Sequence, residues 1–238
     1  MKLKIKKKNN KYGIILKYFI RKKWILNPEF DEIIPLDLNY FRVKKDNHYG
    51  LIFFLDEEIK WLLNLEFLEL ERMDTHFYKI KDKNNKYGLT HCGKILIEPL
   101  YDDIQREGWF YYKVKLDNLT GLIHVDDKKA TKLLDTNYEE IVLIDDNYYI
   151  ITKNNKKGLI YSYFDAIKWL LNINYDEIRK ISKNIYLVIS NNKEGIIEVI
   201  YGDIKFLIPV EYEKIKIDKN GFFECIKDKE IIKKGKLF

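Results

Sequence analysis

Tyr148-Tyr149-Ile150-Ile151-Thr152-Lys153-Asn154-Asn155-Lys156-Lys157-Gly158-Leu159-Ile160-Tyr161 contains the reading on which the fold turns. Two runs rich in β-branched and aromatic residues flank an asparagine pair, which is the signature of a β-hairpin. Asparagine tolerates the positive φ that a tight hairpin turn demands. Gly158 falls at the start of the second run, where a missing side chain marks a bulge or the close approach of another backbone. It does not sit in a glycine-rich loop that opens a helix, so a phosphate-cradling role is set aside.

The same pattern occurs six times. Gly13, Gly50, Gly88, Gly121, Gly158 and Gly195 are each followed by Leu or Ile and preceded at three residues by Asn10, Asn47, Asn85, Asn118, Asn155 and Asn192. An aromatic follows at 17 residues in five copies, Phe30, Phe67, Tyr138, Tyr175 and Tyr212, and at 13 in the third, Tyr101. Apolar runs such as Trp24-Ile25-Leu26, Trp61-Leu62-Leu63 and Trp169-Leu170-Leu171 begin eleven residues after the glycine. The third copy aligns once its deletion is placed at the turn Thr90-His91-Cys92-Gly93-Lys94, where a deletion is tolerated. A period near 37 residues means a modular array whose units share their core.

The expected architecture is all-β. It comprises six tandem repeats of short antiparallel hairpins at residues 1–37, 38–75, 76–108, 109–145, 146–182 and 183–219, with a C-terminal cap at 220–238, in one domain spanning 1–238. Six such units could close as a six-bladed propeller or stack as an open twisted array. Complete hairpins near both ends favour the open array. The segments Phe53 to Ile59 and Tyr161 to Ile167 read as variable inserts that could hold a helical turn.

Composition narrows the function classes. Of 238 residues, 46% are hydrophobic and 34% charged, and no run approaches the roughly 20 apolar residues of a spanning helix. The N-terminus has no apolar signal segment, so a cytoplasmic location is expected. Cys92 and Cys225 lie in unrelated contexts and imply neither a disulfide framework nor a zinc site. The net charge of +6 is uneven: residues 1–28 hold nine Lys and one Arg without an acid. That end could steer toward nucleic acid or an acidic surface, or its lysines could guard an exposed strand. Lysine outnumbers arginine 38 to 5, as AT-rich coding produces, which weakens arguments from lysine count alone.

The third copy, Tyr87-Gly88-Leu89-Thr90-His91-Cys92-Gly93-Lys94-Ile95-Leu96-Ile97-Glu98-Pro99-Leu100-Tyr101-Asp102-Asp103-Ile104, resembles the bacterial WG repeat. That repeat reads Trp-Gly-Leu-Ile, a Gly-Lys turn, an apolar strand, Pro, then Tyr-Asp. Tyr12, Tyr49 and Tyr87 stand where the family has Trp, and Thr120, Lys157 and Glu194 depart further. The resemblance implies an interaction module with no catalytic residues to carry over.

The residues themselves suggest no chemistry. His48, His76, His91 and His124 occupy scattered repeat positions, and His91-Cys92, as neighbours on a strand, should point to opposite faces. The acidic pairs Asp31-Glu32, Asp102-Asp103, Glu139-Glu140 and Asp176-Glu177 recur one repeat apart, as strand-end charges paired with lysines of a neighbouring hairpin would. Neither a catalytic centre nor a metal or other cofactor is expected. The candidate binding residues are Lys4, Lys6, Lys7, Lys8, Arg21, Lys22 and Lys23 at the basic end. The aromatic candidates are Phe53, Phe54, Trp109, Tyr111, Tyr112, Tyr161, Tyr163 and Phe164, read as breaking the repeat or falling in its inserts. The expected function is non-enzymatic binding of a macromolecule, first a protein. The alternative is a phage- or mobile-element-encoded inhibitor that binds a nucleic-acid-guided nuclease or its RNA through the basic end.

Overall fold

The computed structural model describes residues 2–19, 21–37 and 39–237, so the repeat limits placed at residues 1, 38 and 238 fall outside the described residues. The β-branched and aromatic runs form 26 strands in seven antiparallel sheets among those residues, each a simple meander. The first sheet holds β1 (Lys2–Lys8), β2 (Lys11–Lys17) and β3 (Lys22–Phe30). The second holds β4 (Glu32–Pro35), β5 (Tyr40–Lys45), β6 (His48–Leu55) and β7 (Glu58–Phe67). The third holds β8 (Glu69–Asp74), β9 (Phe77–Lys81), β10 (Tyr87–His91) and β11 (Lys94–Tyr101). The fourth holds β12 (Asp103–Arg106), β13 (Tyr111–Leu116), β14 (Leu119–Val125) and β15 (Ala130–Tyr138). The fifth holds β16 (Glu140–Asp145), β17 (Tyr148–Lys153), β18 (Lys156–Tyr163) and β19 (Ala166–Tyr175). The sixth holds β20 (Glu177–Ser182), β21 (Ile185–Ser190), β22 (Lys193–Ile200) and β23 (Asp203–Tyr212), and the seventh β24 (Lys214–Ile217), β25 (Phe222–Lys227) and β26 (Glu230–Lys236).

The sheets are one strand out of phase with the repeat units read from the glycines. Each aromatic-acidic pair closes one sheet and opens the next, so the first strand of a sheet falls within the preceding repeat unit. Among the described residues neither terminal sheet borrows a strand from the opposite end, so the pairing is that of an open array and not of a propeller closed by a shared blade.

Asparagine and aspartate make the turns. Asn154 and Asn155 have φ of 52° and 56°, and Asn9–Asn10, Asp46–Asn47, Asp117–Asn118 and Asn191–Asn192 repeat that conformation. The period glycine lies where the fourth strand bulges toward the third: between the pairs Lys157↔Tyr175 and Leu159↔Leu171 the register shifts. A Cβ on Gly158 would stand 2.9 Å from the Leu171 carbonyl oxygen and 3.0 Å from the Trp169 ring.

The supposed inserts are paired strands. Phe53 and Phe54 lie on β6 and Tyr161 to Tyr163 on β18, and the connections to β7 and β19 are two-residue turns at Asp56-Glu57 and Phe164-Asp165. Alternation of large residues continues through both segments, so extended pairing prevails over a helical turn.

The chain divides into two compact units, Met1–Asp117 with Val125–Ala130, and Asn118–His124 with Thr131–Phe238. Within each, successive sheets meet face to face. In the first unit, Ile14, Leu16 and Leu26 of the first sheet pack on Phe41, Val43, Ile52 and Phe54 of the second. Leu51 and Leu63, on the opposite face, pack on Leu70, Tyr78 and Ile80 of the third. The second unit repeats the scheme, with Leu159 and Leu171 against Tyr186, Val188 and Val199, and Leu187, Ile196 and Ile208 against Phe223 and Cys225. The two faces of one strand thus serve two cores.

Candidate functional site: an aromatic cleft on the fifth and sixth sheets

Tyr148 opens β17 and pairs across the strands with Tyr161 of β18, whose ring lies 4.9 Å away by centroid. Tyr163, two residues on and therefore on the same face, stacks at 6.5 Å from Tyr161. Phe164 meets Tyr163 edge-on at 4.6 Å. The turn that joins β22 to β23 reaches this row from the next sheet. Its Gly202 amide donates to the Tyr148 hydroxyl at 2.8 Å, and at φ of 76° its Cα lies so close to Tyr161 that an added Cβ would be 2.6 Å from the ring. Only glycine fits there. The turn thereby carries Tyr201 to the rim.

Tyr148, Tyr161 and Tyr201 border a cleft of about 590 Å³, completed by Asp145, Asn147, Lys180 and Asn184, and Tyr163 and Phe164 continue the aromatic row outward from Tyr161. Lys180 pairs with Asp145 at 2.5 Å, and that hydrogen bond is the main cause holding the Asp145 carboxyl below its ordinary range. Burial raises the Tyr148 hydroxyl, outweighing the amide that donates to it, and raises Tyr186 beneath to about 12. These phenols therefore stay neutral, and Tyr148 serves as the post that accepts the Gly202 amide. The outer aromatics are different: Tyr163 and Phe164 at the end of the row and Tyr201 at the cleft are 60%, 62% and 93% exposed. Two of them stand at turn positions with positive φ, 49° at Phe164 and 50° at Tyr201. A bulky aromatic is an outlier in that conformation.

The candidates from sequence divide sharply. Tyr161, Tyr163 and Phe164 come together in one aromatic row, and Tyr201, which sequence reasoning missed, lines the cleft beside Tyr161. Its signal was a Tyr-Gly pair at a hairpin turn. Phe54, Tyr111 and Tyr112 are instead buried in the core, so they are corrected from contact to packing residues. Tyr112 belongs to a repeated core slot shared by Phe41, Tyr78, Tyr149, Tyr186 and Phe223, which the run Trp109-Phe110-Tyr111-Tyr112 disguised. Trp109, at the tip of the β12–β13 connection, is 83% exposed. Phe53 is half-buried and packs tilted against Tyr40 with ring centroids 4.6 Å apart, in the position that Tyr161 occupies against Tyr148. Lys4, Lys6, Lys7, Lys8, Arg21, Lys22 and Lys23 are all exposed, on the first sheet and the turn within it.

His91 and Cys92 do meet, against the expectation from strand alternation. Cys92 leaves the strand at φ of 50°, and its Sγ comes to 3.6 Å from His91 Nε2, with the Tyr40 hydroxyl donating to it at 3.7 Å. The acidic ladder is structural in its geometry. Asp31 accepts from Lys11 Nζ at 2.5 Å and from the Asp46 turn amide at 2.9 Å, and Asp102 accepts from Lys86 Nζ at 2.5 Å and the Asp117 amide at 2.8 Å. Asp176 does the same with Lys156 and the Asn191 amide. Each carboxylate staples the turn of one sheet to a lysine of the sheet before it.

No family model matches the chain, and no curated protein matches it. Solved structures are similar to it only distantly. It is similar to apo AztD from Citrobacter koseri (TM-score 0.33, 9% identity, over 93% of this chain and 72% of that one). It is similar also to the WD40 β-propeller domain of Doa1 (TM-score 0.28, 8% identity, 91% and 83%) and to YCF48 bound to D1 peptide (0.30, 7%, 92% and 84%).

Proposed function

We propose that the protein is a non-enzymatic binding module that docks a protein partner on the aromatic cleft of its fifth and sixth sheets. One observation carries this reading: Phe164 and Tyr201 hold exposed rings at positive φ, on equivalent turns of neighbouring sheets. The left-handed conformation costs a non-glycine residue about 1–2 kcal/mol, so stability alone would place Gly or Asn there. The second sheet, at the same turn, has Asp56. Bulky residues kept in strained turns point to use. Rigid aromatic side chains over a cleft are also what protein interfaces employ as anchors, because they bury much area for little lost rotamer freedom. The reading of the repeats as WG-like belongs to the same proposal, since that family serves in interactions.

The test compares the wild type with a Tyr163→Ala/Phe164→Gly/Tyr201→Gly variant as bait in nuclease-treated lysate. The glycines relieve the turns, so the variant is expected to melt within a few degrees of the wild type and to lose the captured proteins. Equal capture by both baits would remove the reading.

A further inference from the structure

In the interior sheets, the face of the second strand that meets the preceding sheet is apolar at two alternate positions. These are Phe41 and Val43, Tyr78 and Ile80, Tyr149 and Ile151, Tyr186 and Val188, all buried. The register assigns the same two positions in the first sheet to Lys4 and Lys6: Lys4 faces Ile15 as Phe41 faces Ile52, and Lys6 faces Gly13 as Val43 faces Gly50. Lys17 and Lys22 likewise replace Phe54 and Ile59. A face built for packing elsewhere is here covered with ammonium groups.

A polar end cap is what a repeat array requires for solubility, but this face exceeds that need. Lys2, Lys17 and Lys22 lie directly opposite one another across the three strands, and like charges so placed destabilise a sheet. Among the described residues, none of Lys2, Lys4, Lys6, Lys17 and Lys22 has a carboxylate partner. The acid of β3, Glu29, turns instead to Lys45 of the second sheet at 2.6 Å. The seventh sheet differs: there a carboxylate stands among the lysines, with Glu224 opposite both Lys216 and Lys234 and paired with Lys234 at 2.8 Å. The lysines of the first sheet also ring an aromatic. Trp24 lies over Gly13 and, with Ile15, Lys6 and Lys22, lines a cleft of about 300 Å³.

We infer that this face binds the phosphate backbone of a single-stranded nucleic acid, with Lys4, Lys6, Lys17 and Lys22 taking phosphates and Trp24 offering its ring to a base. Charge complementarity calls for a polyanion, and a flat cationic surface with an aromatic platform is how single strands are held without sequence preference. An anionic bilayer fits less well. On the lysine face itself the apolar groups, Ile15 at 5% exposed and Trp24, lie low among the lysine stems, where a base can reach Trp24 but neither enters lipid; the exposed apolar side chain beside it, Phe19, sits in the adjoining turn.

The experiment is fluorescence anisotropy of the intact protein with a fluorescein-labelled oligothymidylate of about twelve nucleotides. Four neutralised phosphates give a slope of about −3 in log K against log salt, a loss of some fiftyfold between roughly 50 and 200 mM. A Lys4→Ala/Lys6→Ala/Lys17→Ala variant is expected to bind more than tenfold more weakly with a slope near about −0.7, and Lys234→Ala to bind as the wild type does. Trp24→Leu, with melting checked, is expected to weaken the oligonucleotide but not inorganic polyphosphate. The proposal is overturned by a wild type that binds no oligonucleotide at low salt, by undiminished binding in the triple lysine variant, or by a Trp24→Leu variant that loses nothing. Retention on phosphatidylserine vesicles without oligonucleotide binding would also overturn it, in favour of a membrane surface.

Discussion

Asp31, Asp102 and Asp176 show how little of a residue's role its type conveys. As recurring acids they suit catalysis, ion binding or solvation equally. In the folded chain each carboxylate receives a turn amide and a lysine, and the lysine hydrogen bond, followed by the amide, holds it below the ordinary value of 3.8. A carboxyl whose pKa is lowered on folding contributes stability above its unfolded pKa and loses it as pH falls through the folded one. The contribution is therefore complete above about pH 5 and drains away below the ordinary value. Urea midpoints taken from neutral pH down to about pH 3 are expected to fall more steeply for the wild type than for an Asp31→Asn/Asp102→Asn/Asp176→Asn variant. Parallel curves would remove the staple. The recurrence of these acids was legible in the sequence, and so was their pairing with lysines. His91 and Cys92 were misjudged because alternation holds only while the chain stays extended, and Cys92 sits in a turn.

Hairpins are the level at which sequence and structure agree most closely. A turn of two residues with positive φ and two flanking apolar runs is a local matter, decided within about a dozen residues, so Asn154-Asn155 and its equivalents could be read directly. Gly158 marks the next contact outward, where β19 bulges against β18. Because its missing Cβ would meet backbone at 2.9 Å, Gly158→Ala is expected to destabilise by about 1–3 kcal/mol in chemical denaturation. A variant as stable as the wild type would show that the bulge can yield. What escaped at this level were the segments Phe53 to Ile59 and Tyr161 to Ile167. Their aromatics read as loop decoration, yet they complete the ladders of β6 with β7 and β18 with β19. Phe54 is consequently core while Tyr163, at the same hairpin end, is rim, and the difference lies in which face each side chain takes.

For the molecule as a whole, the end sheets say most. Lys4, Lys6 and Lys17 at one end and Lys234 at the other stand where interior sheets carry packing residues, so the array ends in faces that reject a further sheet. Restoring the interior pattern with Lys4→Phe/Lys6→Val/Lys17→Phe is expected to create a sticky sheet face of several hundred Å². Sedimentation velocity should then show concentration-dependent self-association well beyond that of the wild type. An unchanged sedimentation profile would mean that these lysines are not what ends the stack.

By itself the sequence determined the period, the hairpins, their asparagine turns and the all-β class, because strand pairing across a tight turn depends on neighbours close along the chain. The tertiary structure alone decided the phase of the sheets and the burial of Tyr111 and Tyr112. It also joined Tyr148, Tyr161, Tyr163 and Phe164 in one aromatic row beside the cleft that Tyr201 borders, and placed lysines in core slots of the first sheet. Those facts depend on which face of a strand meets the next sheet. A period-two pattern names two faces without saying which of them will find a partner.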